Sequence, residues 1–425
     1  MSTMTSAPPI GWKNFIARYW RKAPVHFPAA FRPGLLSPDE GFEIFATASR
    51  ATAEKPGSRV PLHFFTGKGF KESDPRPFLP LADKSLEAYT QRLATQLPGQ
   101  NFVLALNHAE AWNDSLWLRC RTFLQELYEG VGIPENTDLV FWLSRAGVSG
   151  FGVHNDPFDH LIFVLTGRKR FLLWPTDIIR AHPEVVNDTT YLGIRDQSLI
   201  VDLEPGDMLY IPQGYYHVVE GDNQPCFQFS LAITSERMLW LDWFRGSMWR
   251  AQEPQLREVP ASMTIPLIPP QGGEVTAPLP EHLEQLTHAF SGIGSSMRLQ
   301  VARGWLARLT SLGLGPPQER DTRAITDDDT LQGDSDNPIL LYALGDSLVG
   351  AARGHSFVTR ASEGVQALVE RLNSGQRWRV GALLDEQTAT WHWSASDRAE
   401  AHQLLTQLHR VRALELGSLL PGAVD

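Results

Sequence analysis

The stretch that decides the fold reads Glu204-Pro205-Gly206-Asp207-Met208-Leu209-Tyr210-Ile211-Pro212, and His217 follows it closely. Residues 205–207 are typical of a turn, residues 208–211 are an apolar run of strand length, and residues 212–214 predict a second turn. A strand between two tight turns returns the chain to the sheet from which it came. We therefore expect His217 to face the interior of a β barrel.

Other short apolar runs separated by turn residues surround this stretch. They are residues 139–144, 161–165, 170–174, 198–203, 216–219 and 227–233. Strands of this number and spacing are typical of an all-β sandwich or barrel. Ahead of them the patterns predict helices over residues 37–49, 85–97 and 115–130 and a strand over residues 102–106. Ser37, Pro38 and Glu40 form a good helix start, with a capping side chain, a first-turn proline and a capping-box glutamate.

The second half of the chain has a different texture. Residues 253–281 are proline-rich and predict a linker, residues 280–312 carry helical patterns, and residues 318–337 are polar and predict a solvated loop. The patterns then predict helices at 362–373 and 396–414, with short strands at 378–384 and 388–393. Helices around a small β-ribbon predict a winged-helix-like end.

Composition limits the classes of function. The net charge of -10 argues against a general nucleic-acid binder, since phosphate binding needs a concentrated basic surface. The two cysteines, Cys120 and Cys226, are far apart and are expected to be free thiols in a reducing cytoplasm. No signal-peptide pattern and no long apolar run is present, so no membrane span is expected.

A metal site is predicted from Gly152-Val153-His154-Asn155-Asp156-Pro157. On a strand, residues i and i+2 point to the same side, so His154 and Asp156 can offer an imidazole and a carboxylate to one ion. With His217 they make two histidines and one carboxylate, the facial triad of non-haem iron(II) oxygenases. Zinc accepts the same ligands, so the residue types alone leave the metal open.

A candidate anion site follows in the run from Thr166 to Leu173, in which residues 166–168 predict a hairpin turn. Lys169 shares strand parity with Phe171 and Leu173, while Arg168 and Arg170 point the other way. A lysine on the inner face of a barrel needs an anionic partner, because burying an unpaired ammonium is unfavourable. The distal carboxylate of 2-oxoglutarate would fit.

With these motifs the chain resembles the JmjC-type cupin-like oxygenases, and especially the ribosomal oxygenases that hydroxylate arginine or histidine residues of ribosomal proteins. The resemblance also covers Tyr19-Trp20-Arg21-Lys22-Ala23-Pro24 and Leu35-Leu36-Ser37-Pro38-Asp39-Glu40 near the start. It implies a mainly β fold with α additions, a double-stranded β-helix (jelly-roll) followed by a helical region and a winged-helix-like domain. The implied boundaries are 1–100 (N-terminal segment packing on the barrel), 101–250 (catalytic barrel), 251–317 (linker and helical dimerisation region) and 318–425 (acidic loop and winged-helix-like domain).

The resemblance further implies iron(II) on His154, Asp156 and His217, 2-oxoglutarate held by Lys169, and dioxygen as co-reactant. Ser144 and Ser230 resemble polar positions beside the cosubstrate. The implied protein is a cytoplasmic homodimer that acts on a protein or peptide, with no membrane and no direct nucleic-acid partner. Asn155 departs from the aromatic residue common at that position.

The substrate stays open on the sequence. A ribosomal protein, a ribosomally made peptide precursor and an N-methylated lysine are alternatives, and a non-catalytic cupin that only binds a partner is another. Asp159 is a candidate rim residue for a cationic substrate side chain, and Trp142 a candidate wall of the cleft. His160 lies near the triad, but its parity is undetermined and the triad is complete without it.

Overall fold

The structure is a computed structural model that describes residues 11–29, 35–54, 62–66, 71–234 and 293–417. The described residues fall into two compact units, one within residues 1–236 together with 311–318, the other within residues 237–310 and 319–425. Each unit is described by itself below. None of the helices in the described ranges is long and apolar enough to cross a membrane.

The first unit is built mainly from strands. They are β1 (Val25–Phe27), β2 (Leu62–Thr66), β3 (Lys71–Ser73), β4 (Phe102–Leu106), β5 (Asn136–Arg145), β6 (His154–Asn155), β7 (Asp159–Thr166), β8 (Lys169–Trp174), β9 (Leu199–Leu203), β10 (Met208–Ile211), β11 (Tyr216–Glu220) and β12 (Cys226–Thr234). Eight of them form one sheet in the order β1-β10-β7-β12-β5-β4-β2-β3, and four form a second sheet in the order β6-β11-β8-β9.

The two sheets share a core, which makes them the walls of a jelly roll. Ile162 and Val164 of β7 belong to the same buried cluster as Phe171 of β8 and Val201 of β9. The alternate residues of β7, such as Phe163, belong to a different cluster on the outer face of the large sheet. Strands buried on both faces read as continuous apolar runs, which is how the predicted strands stood out in the sequence. The predicted mainly β jelly-roll core is confirmed.

Helices cover the outer face of the large sheet. They are α1 (Trp12–Arg18), α2 (Pro38–Ala53), α3 (Leu86–Gln96) and α4 (Asp114–Val131), and α5 (Thr176–Ala181) follows β8. The backbone N–H of Glu40 donates to Ser37 Oγ at 3.2 Å, so α2 begins at the predicted cap. Trp12 of α1 packs edge-on against Phe123 of α4 at 5.2 Å between ring centres, within the cluster that covers the sheet.

The segment from Thr166 to Arg168 differs from the hairpin turn that its sequence predicts. β7 pairs with β10 and β12, whereas β8 pairs with β9 and β11. The turn therefore carries the chain from one sheet to the other. Gly167 has φ +77°, and a Cβ there would lie 2.7 Å from the carbonyl oxygen of Pro225, so the crossing requires glycine.

The second unit combines helices with two small sheets. Its elements are α6 (Ile293–Ser311), β13 (Thr330–Gly333), β14 (Leu340–Leu344), β15 (Ser347–Ala352), β16 (His355–Arg360), α7 (Glu363–Asn373), β17 (Arg377–Arg379), α8 (Val380–Trp391), α9 (Ala395–Arg410) and β18 (Leu414–Gly417). The sheet orders are β17-β13-β18 and β14-β15-β16. The predicted helices at 362–373 and 396–414 correspond to α7 and α9.

Two expectations for this unit are wrong. The strands expected over 378–384 and 388–393 are mostly α8, where Val380, Leu383, Leu384 and Gln387 are buried at helical spacing. The loop expected over 318–337 contains β13, whose Leu331 is fully buried at the centre of its sheet.

Other sequence-based expectations for the second half remain untested. The linker over residues 253–281 and the first part of the helical region 280–312 lie outside the described residues. The winged-helix-like assignment and the domain boundaries stay predictions.

Candidate metal and cosubstrate site

The small sheet places two of the predicted metal ligands opposite each other. β6 pairs antiparallel with β11 in a register that makes His154 and His217 direct partners. Their rings lie 4.4 Å apart between centres. Asp156 follows β6 immediately, and its Oδ2 is 3.7 Å from His217 Nε2. One ligand atom from each of the three residues lies within 4.8 Å of the others, so the structure brings the whole predicted triad together.

The orientation of His154 is fixed by the backbone before it. His154 Nδ1 lies 3.0 Å from the carbonyl oxygen of Gly152, which can only accept, so Nδ1 carries the hydrogen and Nε2 keeps its lone pair for an ion. Gly152 has φ +69°, and a Cβ there would lie 2.6 Å from the backbone of Asp188. The glycine is therefore required by the close approach of the 187–188 segment.

Asp156 is held by a histidine that the sequence pattern does not mark as part of the site. His160 Nε2 lies 2.8 Å from Asp156 Oδ2 and donates to it. Burial raises the pKa of Asp156, but the hydrogen bond from His160 and the nearby histidines outweigh it and hold the pKa below its usual value. The carboxylate is thus kept ionised and oriented, as a metal ligand requires.

His217 is prepared as a neutral ligand. Burial, and secondarily the neighbouring His154, lower the pKa of His217 to about 3. Its ring keeps an available lone pair over the whole physiological pH range. His217 Nε2 is the nitrogen that faces Asp156 Oδ2, at 3.7 Å. Together with this carboxylate and the imidazole of His154 it makes a donor set that fits a divalent cation.

The triad lies in the wall of a cavity of about 420 Å³. The large sheet supplies the facing wall through alternate residues of β5 and β12, paired as Ser144 with Cys226 and Trp142 with Gln228. The indole N–H of Trp142 donates to Ser230 Oγ at 3.1 Å. The structure therefore places all three predicted lining residues, Trp142, Ser144 and Ser230, on the cavity.

Lys169 lies in the same cavity and has the predicted parity with Phe171. Its arginine neighbours both have carboxylate partners: Arg168 is 3.0 Å from Glu204, and Arg170 is 2.6 Å from Asp202. No carboxylate within the described ranges forms an ion pair with Lys169. Burial lowers the pKa of its ammonium, opposed by the Cys226 thiol. Lys169 therefore places a positive charge in the cavity at which an anionic ligand can bind.

Two functional positions were missed or undervalued at the sequence level. Gln228 is buried, lines the cavity, and its Oε1 finds no donor among the described side chains and backbone. The signal for it was parity, since Gln228 lies two residues before Ser230 on β12. His160 likewise shares the inward parity of Ile162 and Val164 on β7.

Asp159 occupies a different place from the predicted rim. Its side chain is fully buried and is absent from the cavity lining. It accepts from the Tyr210 hydroxyl at 2.7 Å and from the backbone N–H of Gln213 at 3.2 Å, and Arg21 Nε lies 3.5 Å away. A cation does reach Asp159, but it is an arginine of the same chain, so a substrate contact there is a wrong expectation.

A second group with metal-ligating side chains consists of His108, Glu110 and Asp138. Both carboxylate oxygens of Glu110 already accept backbone hydrogen bonds at 3.1 Å, from Leu139 and Gly315. The hydrogen bond to Glu110 raises the pKa of His108 to about 9, against the effect of burial. The group works as an ionic tie that holds residues 311–318 on the first unit.

Comparison with known proteins agrees with this architecture. Residues 127–240 match the model of the JmjC domain. The chain is 27% identical over 215 residues to "Ribosomal protein uL16 3-hydroxylase" of Escherichia coli (strain K12), covering 49% of this chain and 48% of that protein. It is 32% identical over 114 residues to "Bifunctional lysine-specific demethylase and histidyl-hydroxylase NO66" of Dictyostelium discoideum, covering 26% of this chain and 21% of that protein.

Solved structures show the same fold over nearly the whole chain. The ribosomal oxygenase YcfD of Escherichia coli superposes with a TM-score of 0.51 at 16% identity, covering 98% of this chain and 100% of that one. A structure of YcfD in complex with cobalt and 2-oxoglutarate gives a TM-score of 0.52 at 16% identity. The sequence matches span less than half the length of the two curated relatives. Within these bounds the chain carries a JmjC domain, and over the matched region it is homologous to the uL16 3-hydroxylase and to NO66.

Proposed function

We propose that the protein is an iron(II)- and 2-oxoglutarate-dependent oxygenase that hydroxylates an amino-acid side chain in a protein or peptide. One observation carries the proposal. Lys169, a half-buried lysine without a carboxylate partner in the described ranges, shares a cavity with His154, Asp156 and His217. A site for a divalent cation and a site for a carboxylate in one cavity suit a 2-oxo acid that binds metal at one end and lysine at the other.

The residues of the cavity would hold the iron and the cosubstrate. His154, Asp156 and His217 would hold the iron, and Lys169 would bind the distal carboxylate of 2-oxoglutarate. Ser144 and Ser230 offer hydroxyl donors along the same wall, and the unsatisfied Gln228 Oε1 is an acceptor there. When bound, iron with 2-oxoglutarate and dioxygen supplies the oxidation of a C–H bond to an alcohol, with succinate and CO2 as co-products. No side chain of the cavity needs to act as a general base.

The relatives support the proposed substrate class. The matched proteins bear the names of a ribosomal protein hydroxylase and of a bifunctional lysine-specific demethylase and histidyl-hydroxylase. A ribosomal protein is therefore the first choice of substrate for this chain. A ribosomally made peptide precursor is the second candidate substrate.

The test is succinate formation by the purified chain. We expect it to need iron(II), 2-oxoglutarate and ascorbate, and to be lost in His154→Ala. The matched control is His182→Ala, a half-exposed histidine outside the described cavity lining that should keep parent activity. A co-expressed substrate should gain the mass of about one oxygen atom. Loss of a methylene equivalent would instead indicate demethylation, and a chain that binds no metal would be a non-catalytic cupin.

We further propose a cytoplasmic homodimer that uses the region 251–317 for dimerisation. Cys120 and Cys226 are both buried free thiols, which suits a reducing compartment. Light scattering of the full chain over a range of concentrations would test the dimer. A monomeric full chain would contradict it.

A further inference from the structure

The cavity beside the triad has an unusual balance of charge for an enzyme that acts on protein side chains. Among the described residues that line it, Asp156 is the one carboxylate. Asp156 already accepts a hydrogen bond from His160 and faces His217, so it is committed to the metal. The buried carboxylate nearest in sequence, Asp159, is taken by Tyr210 and Arg21.

The remaining charges in the lining are positive. Lys169 would be neutralised by the distal carboxylate of 2-oxoglutarate, and the two charges of iron(II) by Asp156 and the cosubstrate's other carboxylate. The loaded cavity would then be close to neutral. Arg168, which pairs with Glu204, lies at its edge and adds no attraction for a second cation.

The wall around the ligand histidines is aromatic. Phe65 packs edge-on against Phe151 at 5.2 Å between ring centres, and Phe151 lies 5.9 Å from His154. Phe158 packs edge-on against His160 at 4.7 Å. These phenylalanines carry no hydrogen-bonding atoms, so a group that enters between them loses its water and gains no polar contact from the three rings. The same lining also holds uncharged amides, such as Asn187 and Gln228.

A cationic side chain would be disfavoured here. A guanidinium or an N-methylated ammonium must shed water to reach the triad, and among the described lining residues no free carboxylate replaces that water. The unsatisfied Gln228 Oε1 offers such a cation an uncharged acceptor only. Phenylalanine rings return only part of the loss, because cation–π attraction is weaker for phenylalanine than for tryptophan, and the one tryptophan of the described lining, Trp142, lies on the facing wall. An uncharged aromatic or aliphatic side chain gains from burial against the phenylalanine rings without this loss of water around a charge.

We infer, on the basis of the proposed hydroxylase function, that the substrate residue presents an uncharged aromatic or aliphatic side chain rather than an arginine or an N-methylated lysine. The Phe65, Phe151 and Phe158 cluster is the selecting surface. This separates the protein from a demethylase and from an arginine hydroxylase by the chemistry of its cavity.

The first part of the test concerns the cosubstrate alone. The manganese-loaded chain is titrated with 2-oxoglutarate by calorimetry, with Lys169→Met as the comparison. Failure to bind 2-oxoglutarate would remove the proposed function, whatever the cavity selects. If the parent binds 2-oxoglutarate and Lys169→Met does not, the cosubstrate site stands and the selectivity for the substrate side chain can be tested separately.

The second part uses small probes on the zinc- and 2-oxoglutarate-loaded chain, followed by saturation-transfer NMR. Toluene and 3-methylindole represent uncharged side chains, and methylguanidinium and tetramethylammonium represent the cations. We expect the neutral probes to bind at least tenfold more tightly. Cations that bind as tightly, or neutral probes that fail to bind, overturn the inference.

A matched pair of variants places the selection in the cavity. Phe65→Glu adds the missing carboxylate and should raise affinity for methylguanidinium at least tenfold, while Phe65→Leu should keep the neutral preference. Unchanged cation affinity in Phe65→Glu, with 2-oxoglutarate still bound, would overturn the role of the aromatic cluster.

Discussion

Replacing Lys169 by methionine should have opposite effects on cosubstrate binding and on the stability of the empty protein. Methionine keeps an apolar chain of similar length and removes the charge. In the loaded enzyme, the change leaves the distal carboxylate of 2-oxoglutarate buried without a partner. In the empty protein, it removes an ammonium that has no carboxylate partner among the described residues.

The size of the first effect follows from the burial of the pair. Breaking a buried ion pair by deleting one partner costs about 3–5 kcal/mol. Lys169 is only partly buried along its length, so the lower end, about 3 kcal/mol, is appropriate. At about 1.4 kcal/mol for each factor of ten, 2-oxoglutarate should bind roughly 100-fold more weakly to Lys169→Met.

The second effect carries a pH signature. Burial lowers the pKa of Lys169 in the folded state, so between that pKa and the unfolded value the unfolded chain binds more protons. The lysine therefore destabilises the empty protein at neutral pH, and this penalty fades as pH rises through the folded pKa towards about 10.4. Lys169→Met should melt at a higher temperature than the parent at pH 7, with the gap closing in alkaline buffer.

Calorimetry and thermal melts measure the two effects on one sample. Arg170→Met is the control, because this exposed arginine pairs with Asp202 on the outside of the barrel. It should leave 2-oxoglutarate affinity unchanged. If Lys169→Met binds 2-oxoglutarate within threefold of the parent, the assignment of Lys169 as the cosubstrate anchor is refuted.

Three further perturbations address the framework around the site. Gly152→Ala should weaken metal binding and lower the melting temperature, because its Cβ would lie 2.6 Å from the Asp188 backbone and displace the carbonyl that orients His154. Gly193→Ala, with open space around its Cβ, should change neither property. Equal metal affinity in the two variants would contradict this reasoning. His160→Leu should weaken metal binding by about 10–100-fold, because Asp156 loses the hydrogen bond that orients it. Isothermal titration with manganese measures this affinity, and His160→Asn should restore part of it. Parent affinity in His160→Leu would show that His160 does not position Asp156. The pKa of His108, raised to about 9 by Glu110, implies stability that is fully present below pH about 6.5 and lost as pH rises towards 9. Urea melts of His108→Gln should therefore differ from the parent most at pH 6 and least above pH 9, and a constant difference would argue against the ionic tie.

The metal triad could be predicted from the sequence because strand parity and turn residues constrain it strongly. His154 and Asp156 share a face by simple alternation, and the turns at 205–207 and 212–214 set the return of His217. The same parity predicted that Lys169 faces inward. These positions depend on local geometry, and local geometry is what a sequence pattern encodes.

The misplaced residues depend on contacts between distant segments. The sequence around Asp159 predicts a rim residue, but Arg21, far away in the sequence, lies beside its carboxylate. The turn at Gly167 looked like a hairpin because nothing local reveals that β7 and β8 belong to different sheets. In the second unit, the tryptophans and β-branched residues of 378–393 favoured strands by propensity, and burial of Leu383 and Leu384 on one helical face overrode it.

The candidate metal site forms only when β6 pairs with β11 in the register that sets His154 opposite His217. β6 is only two residues long and lies at the edge of its sheet, so few backbone hydrogen bonds hold it in register. A slip of one residue would turn His154 away from His217 and leave no site for the ion. An ion bound across β6 and β11 would act as a crosslink that fastens this short edge strand to the barrel.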